Sequence, residues 1–135
     1  MRTTFKHTDQ RVAVRAKFVE LERAGKLFRM WVKMRDEHRT KTYLGVEAVR
    51  RDRGGEAWLM SNRGTDIACK IRHRISYRTN VVRASFRRSC LDTPRYLKFK
   101  AYSKQALRTW TYAYLDNPFN KRAATRLWTG RVRAG

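Results

Sequence analysis

From Ile67 to Tyr77 the chain alternates without a break. Ile67, Cys69, Ile71, His73, Ile75 and Tyr77 occupy the odd positions, and Lys70, Arg72, Arg74, Ser76 and Arg78 the even positions from 70 to 78. A period of two marks a half-buried strand, because successive side chains leave a strand on opposite faces. Ile67, Ile71 and Ile75 also fit a helix, but the strictness of the pattern favours the strand. Such a strand requires a core on one side and water or an anion on the other.

The rest of the chain reads as a mixture. Thr8 or Asp9 can cap a helix running to about Ala24, with Val14, Phe18 and Leu21 on one face and Gly25 as the stop. Residues 27–34 fit a helix through Leu27, Met30, Trp31 and Met34 and a strand by alternation of Phe28, Met30, Val32 and Met34; length and β propensity slightly favour the strand. Two apolar runs, Tyr43–Val49 and Glu56–Met60, flank Gly54-Gly55 and predict a hairpin that turns at the glycines, with Arg50, Arg51 and Arg53 at its tip. Thr79 or Asn80 can cap a short helix to about Leu91, with Val82, Phe86 and Cys90 inward. Tyr96–Tyr102 alternates again. Helices from Ser103 to about Leu115 and from Asn120 to about Trp128 close the chain, with Asn117-Pro118 between them. The expectation is an α+β domain: an N-terminal helix, an antiparallel sheet of about four strands, and two C-terminal helices packed on it. Residues 1–8 read as a flexible basic arm, 9–129 as a single domain and 130–135 as a basic tail.

Charge decides what such a domain meets. Lys and Arg number 33 against 11 Asp and Glu, a net +22 over 135 residues. The excess is lopsided: residues 1–66 hold 16 basic and 9 acidic side chains, residues 67–135 hold 17 and 2. Solubility needs far less, and self-repulsion at this density opposes a compact state, so a polyanionic partner is implied. Of the cations, 23 are Arg, whose planar fork pairs bidentately with phosphate and stacks on bases. Mean hydropathy is low at −0.76, yet sixteen Trp, Tyr and Phe spread along the chain argue for a folded domain over a disordered tail.

Three constellations stand out as binding candidates. The basic face Lys70, Arg72, Arg74 and Arg78 continues through Arg83, Arg87 and Arg88, with no acid between Asp66 and Asp92. Tyr96, Lys98, Lys100 and Tyr102 interleave aromatic rings and cations on one strand face, a pattern suited to unpaired bases. It resembles the aromatic-basic strands of RNA-recognition domains, but the diagnostic glycines are missing and no family is assigned. The third is the hairpin tip, Arg50, Arg51 and Arg53, shaped to enter a groove.

Catalysis is not expected. Asp36, Glu37, His38 and Lys41 form the nearest approach to a metal or nuclease site, and adjacent side chains diverge on either a strand or a helix. His73 falls at an inward strand position and reads as a structural histidine. No metal, cofactor or nucleotide motif is present. Cys69 and Cys90 belong to no CxxC pair and read as reduced thiols in a cytoplasmic, nucleoid- or virion-associated protein; the first residues carry no apolar signal run. The expected function is non-catalytic nucleic-acid binding through the backbone, of the kind found in viral accessory proteins or ribonucleoprotein components. The competing class is a small basic inhibitor that binds an acidic protein surface, such as the nucleic-acid channel of a polymerase or nuclease, and the second alternative is a small nuclease working through Asp36 and Glu37. The main footprint should lie within residues 70–100, with Arg11, Arg15 and Lys17 mattering less because the first helix carries acidic neighbours.

Overall fold

The computed structural model describes residues 2–21, 27–106, 112–113 and 128–134. Eleven antiparallel strands run through them: β1 (Arg2–His7), β2 (Arg11–Lys17), β3 (Leu27–Arg35), β4 (Lys41–Val49), β5 (Asp52–Ser61), β6 (Asp66–Ile67), β7 (Ile71–Ser76), β8 (Val81–Arg87), β9 (Tyr96–Ala106), β10 (Tyr112–Ala113) and β11 (Val132–Arg133). A single 3-10 turn, Arg88–Leu91, is the one helical element among the described residues. The smaller sheet has the order β1-β2-β8-β7. The larger has the order β10-β9-β3-β4-β5-β6, with β11 on β9. The architecture is therefore all-β, and the α+β expectation is overturned.

The two sheets pack face to face and bury one continuous core. Val12, Val14, Ala16, Val82, Ala84 and Phe86 come from the smaller sheet. Phe28, Met30, Val32, Met34, Leu44, Val46, Leu59, Leu97 and Phe99 come from the larger. Phe28, Phe86 and Phe99 are almost wholly enclosed, each contributing about 2–3 kcal/mol by leaving water. Phe5 of β1 stacks on Phe99 of β9 across the core, with ring centroids 4.2 Å apart. Every inner position alternates with an outer one, so each sheet presents a second face away from the core.

Each misplaced helix has a physical reason. Arg11–Lys17 alternates Val12, Val14 and Ala16 inward, but the small Ala13 and Ala16 blur the period. The Thr8 read as a helix cap closes the β1–β2 turn instead: its N–H donates to the Arg11 carbonyl at 2.8 Å, and its Oγ1 accepts from the Arg11 N–H at 3.0 Å. Residues 2–7, read as an arm, form β1. Val82 and Phe86 are four apart, an even spacing that satisfies a strand as well as a helix; Ala84, also buried, distinguishes the strand. The helix expected from Ser103 fails over residues 103–106, where β9 continues. Ser103 and Gln105 are polar residues at inward positions, and Gln105 Nε2 donates to the Glu20 carbonyl at 3.0 Å. The rest of that helix, apart from the two residues of β10, lies outside the described residues, as does the last helix up to Trp128.

Two further corrections concern connections. The alternating run 67–77 is two strands in different sheets: β6 ends at Ile67 on the larger sheet and β7 begins at Ile71 on the smaller. The β4–β5 hairpin turns at Arg50–Arg51, and Gly54-Gly55 lie inside β5, where the register shifts. Cys69 and Cys90, expected as free thiols, form a disulfide with Cα atoms 5.9 Å apart. The β7–β8 hairpin pairs Ile71 with Phe86, which brings the residues just outside both strand ends together. Among the described residues no helix is long and apolar enough to cross a membrane.

Candidate functional site

The outer face of the smaller sheet collects Arg2 and Lys6 from β1, Arg11, Arg15 and Lys17 from β2, Arg72 and Arg74 from β7, and Arg83 and Arg87 from β8. These four strands contain no carboxylate. None of these nine cations takes part in an ion pair of the described residues. Register sets them in rows across the sheet. Arg15 faces Arg83, which faces Arg74, so three guanidinium stems stand side by side at strand spacing, roughly 4.8 Å per step. Lys6, Ala13, Ser85 and Arg72 form the next row. Because Ala13 and Ser85 are small, the middle of that row sinks into a groove of about 470 Å3 walled by Lys6, Arg15, Arg72, Arg74 and Arg83. Arg11 leans over the groove's end, its Nη2 donating to Ser85 Oγ at 3.1 Å.

The residues singled out from sequence divide between this face and elsewhere. Arg72, Arg74, Arg83 and Arg87 share it. Lys70 lies in the loop before β7 and, with Arg72, Arg11 and Arg87, surrounds a small recess beside the disulfide. Arg78 sits exposed in the β7–β8 turn. Arg88 is spent on the fold: Nε donates to the Pro94 carbonyl at 2.9 Å, Nη2 to Thr93 at 3.2 Å and Nη1 to Asp9 at 3.4 Å. Arg11, Arg15 and Lys17, expected on a helix, lie on β2. On that strand, between β1 and β8, they share the outer face with the cations of β7 and β8.

At the hairpin turn, Arg50 and Arg51 are exposed. Arg53 is half-buried, its guanidinium 4.8 Å from the Tyr77 ring centroid, while the Tyr77 hydroxyl donates to the Arg53 carbonyl at 2.9 Å. His73 points inward, as its position in the alternation required. Its Nε2 lies 2.9 Å from the Gly55 carbonyl and 3.1 Å from that of Gly54; carbonyls only accept, so this nitrogen carries the proton. It joins β7 of one sheet to the irregular part of β5 in the other.

Tyr96, Lys98, Lys100 and Tyr102 do share a face, the outer face of the larger sheet, but the two tyrosines stand about 20 Å apart along β9. Tyr96 has Arg131 above its ring at 4.7 Å. Tyr102 lies beside Trp31, and Lys33 reaches both Tyr102 and Tyr43, at 5.6 and 5.8 Å from their centroids. Arg35 and Lys100 both approach the Trp128 ring, at 4.9 and 4.8 Å. Trp31 meets Trp58 edge to face, and Trp58 covers Gly45. Burial, then the charges of Lys33, Arg35 and Lys41, lowers the Lys100 ammonium below its ordinary value. Burial, then Tyr43, raises the Tyr102 hydroxyl.

The acidic group in the β3–β4 turn is used by the backbone. Asp36 Oδ1 accepts from the N–H groups of His38 and Thr40, both at 2.9 Å, and the Glu37 carboxylate accepts from the Arg95 N–H at 3.0 Å. Among the described residues no three His, Cys, Asp or Glu gather as metal ligands. Compared with known proteins, the chain matches no family model and no curated sequence.

Proposed function

We propose that this chain is a non-catalytic nucleic-acid-binding protein whose principal surface is the outer face of the smaller sheet and whose contacts are mainly to phosphates. The observation that carries the reading is the row Arg15, Arg83, Arg74. Like charges directly opposed on neighbouring strands destabilise a sheet, and here two such pairs share one arginine with no carboxylate on any of the four strands. A fold tolerates that arrangement when a polyanion neutralises it. The groove beside the row, floored by Ala13 and Ser85, gives a phosphate backbone room to lie among forks that bind it bidentately. Repeating phosphates suit a repeating array of arginines, and the contacts carry little sequence information.

The test is binding of random-sequence oligonucleotide as a function of salt. With about six phosphates neutralised, affinity falls on the order of a thousandfold between about 50 and about 200 mM salt. An Arg15→Ser, Arg74→Ser, Arg83→Ser variant binds at least tenfold more weakly and with a shallower salt slope. A variant with the same charge loss elsewhere, Arg50→Ser, Arg51→Ser, Arg63→Ser, loses less. Equal losses from both sets would show that the charge acts without a focused site. A flat salt response, with tight binding only to an acidic protein, would sink the proposal in favour of an inhibitor.

A further inference from the structure

The outer face of the larger sheet also concentrates cations, and the proposal above does not use it. Lys33, Arg35, Lys41, Lys98 and Lys100 occupy one end of it. Register opposes Lys33 to Lys100, and Arg35 to both Lys98 and Lys41. Toward the other end the balance changes, because Glu47 binds Arg29 at 2.7 Å and stands opposite Glu56. At that other end two carboxylates, Glu47 and Glu56, stand among Arg29 and Lys104, so the excess of cations is greatest in the first half of the face. Unlike the first face, this half has aromatic rings set between its cations: Lys33 lies between Tyr43 and Tyr102, and Lys100 beside Trp128. Alternating rings and ammonium groups match a single strand, whose phosphates pair with cations while its bases stack on rings; duplex bases are already stacked and cannot use them.

We infer that this half-face is a second nucleic-acid surface, selective for unpaired strands, and that one molecule therefore bridges two strands. The inference rests on the first face binding nucleic acid as proposed. The geometry favours bridging over wrapping. The inner faces of both sheets are committed to the core, so the two outer faces point in opposite directions with two sheet thicknesses between them. A strand of about 12 nucleotides seated on one face is long enough to fill it. To reach the other, it would have to round an edge of the sandwich.

The test uses beads carrying a single-stranded oligonucleotide of about 12 nucleotides, the protein, and a second, fluorescent strand of non-complementary sequence. Capture of the fluorescent strand should rise with protein and fall again when excess protein saturates each strand separately. A Lys33→Gln, Lys98→Gln, Lys100→Gln variant should still load onto the beads through the first face yet capture at least tenfold less; Lys98→Gln alone, should the triple variant fail to fold, lowers capture several-fold. With duplex on the beads as well, which leaves only the second face free, replacing the fluorescent strand by duplex should reduce capture. Three results overturn the inference: bead loading without capture by the wild type, full capture by the variants (bridging by paired copies through the first face), or equal capture of duplex. Absence of bead loading altogether would instead remove the first reading, and the inference with it.

Discussion

Gly55 shows how one residue can hold two sheets together. Its φ is +78°, a left-handed conformation, and an added Cβ would stand 2.7 Å from the Glu47 carbonyl and 2.9 Å from Ile75 Cδ1. Its own carbonyl accepts from His73, so the backbone there must keep its path. Gly55→Ala should cost about 2 kcal/mol or more, from the left-handed backbone and the clash together, and lower the melting temperature by roughly 8 °C. An unchanged melting curve would mean that β5 relaxes freely at this point. Glu37 supplies a pH signature. Burial opposes its ionisation, but the N–H groups of Glu37, Arg95 and Tyr96, with His38 nearby, hold the carboxyl below the ordinary glutamate value of 4.5. The folded value lies below the unfolded one, so the ionised form stabilises the fold above that ordinary value and the contribution is lost as pH falls through the folded one. Glu37→Gln should therefore melt lower than wild type at neutral pH, and the gap should close on acidification. A gap independent of pH would assign the loss to shape alone.

At the scale of elements, pairing decides which side chains act together. Arg83 is the middle member of the opposed row, so Arg83→Thr removes both repulsive pairs while keeping a residue suited to a strand. The free protein should gain about 0.5 kcal/mol, roughly 2 °C in melting temperature at low salt, while oligonucleotide affinity falls. Loss of both stability and binding would mean that the row serves the fold. Pairing also explains what sequence could not reach. In 28–34 and 97–99 large apolar residues, Phe28, Met30, Val32, Met34, Leu97 and Phe99, hold the inward positions, and there the alternation was enough to favour a strand. In 11–17 alanines weakened the contrast, and in 103–105 a buried serine and glutamine reversed it. The glycines of β5 carried a turn signal although the turn came four residues earlier. The disulfide had no signature at all, since a hairpin's closure places Cys69 beside Cys90, not a spacing.

For the whole molecule, charge and architecture have one joint consequence. A sandwich that spreads cations over both outer faces carries its repulsion in the folded state, and any polyanion that binds only that state must stabilise it. Short oligonucleotide at about 100 times its dissociation constant should add about 2.7 kcal/mol of stability, read as a melting temperature several degrees higher at low salt and little changed at high salt. No shift at low salt would contradict the reading of both faces. The net charge of +22, the arginine bias and the inward-outward order of the clearest strands follow from sequence, because they depend on composition and on neighbours two residues apart. Tertiary structure alone decided that β2 and β7, more than fifty residues apart, flank β8 in one sheet and line up Arg15, Arg83 and Arg74. It also decided that the run from Ile67 to Tyr77 divides between the two sheets. Local periodicity states which way a side chain points; only long-range pairing states which other side chains it points beside.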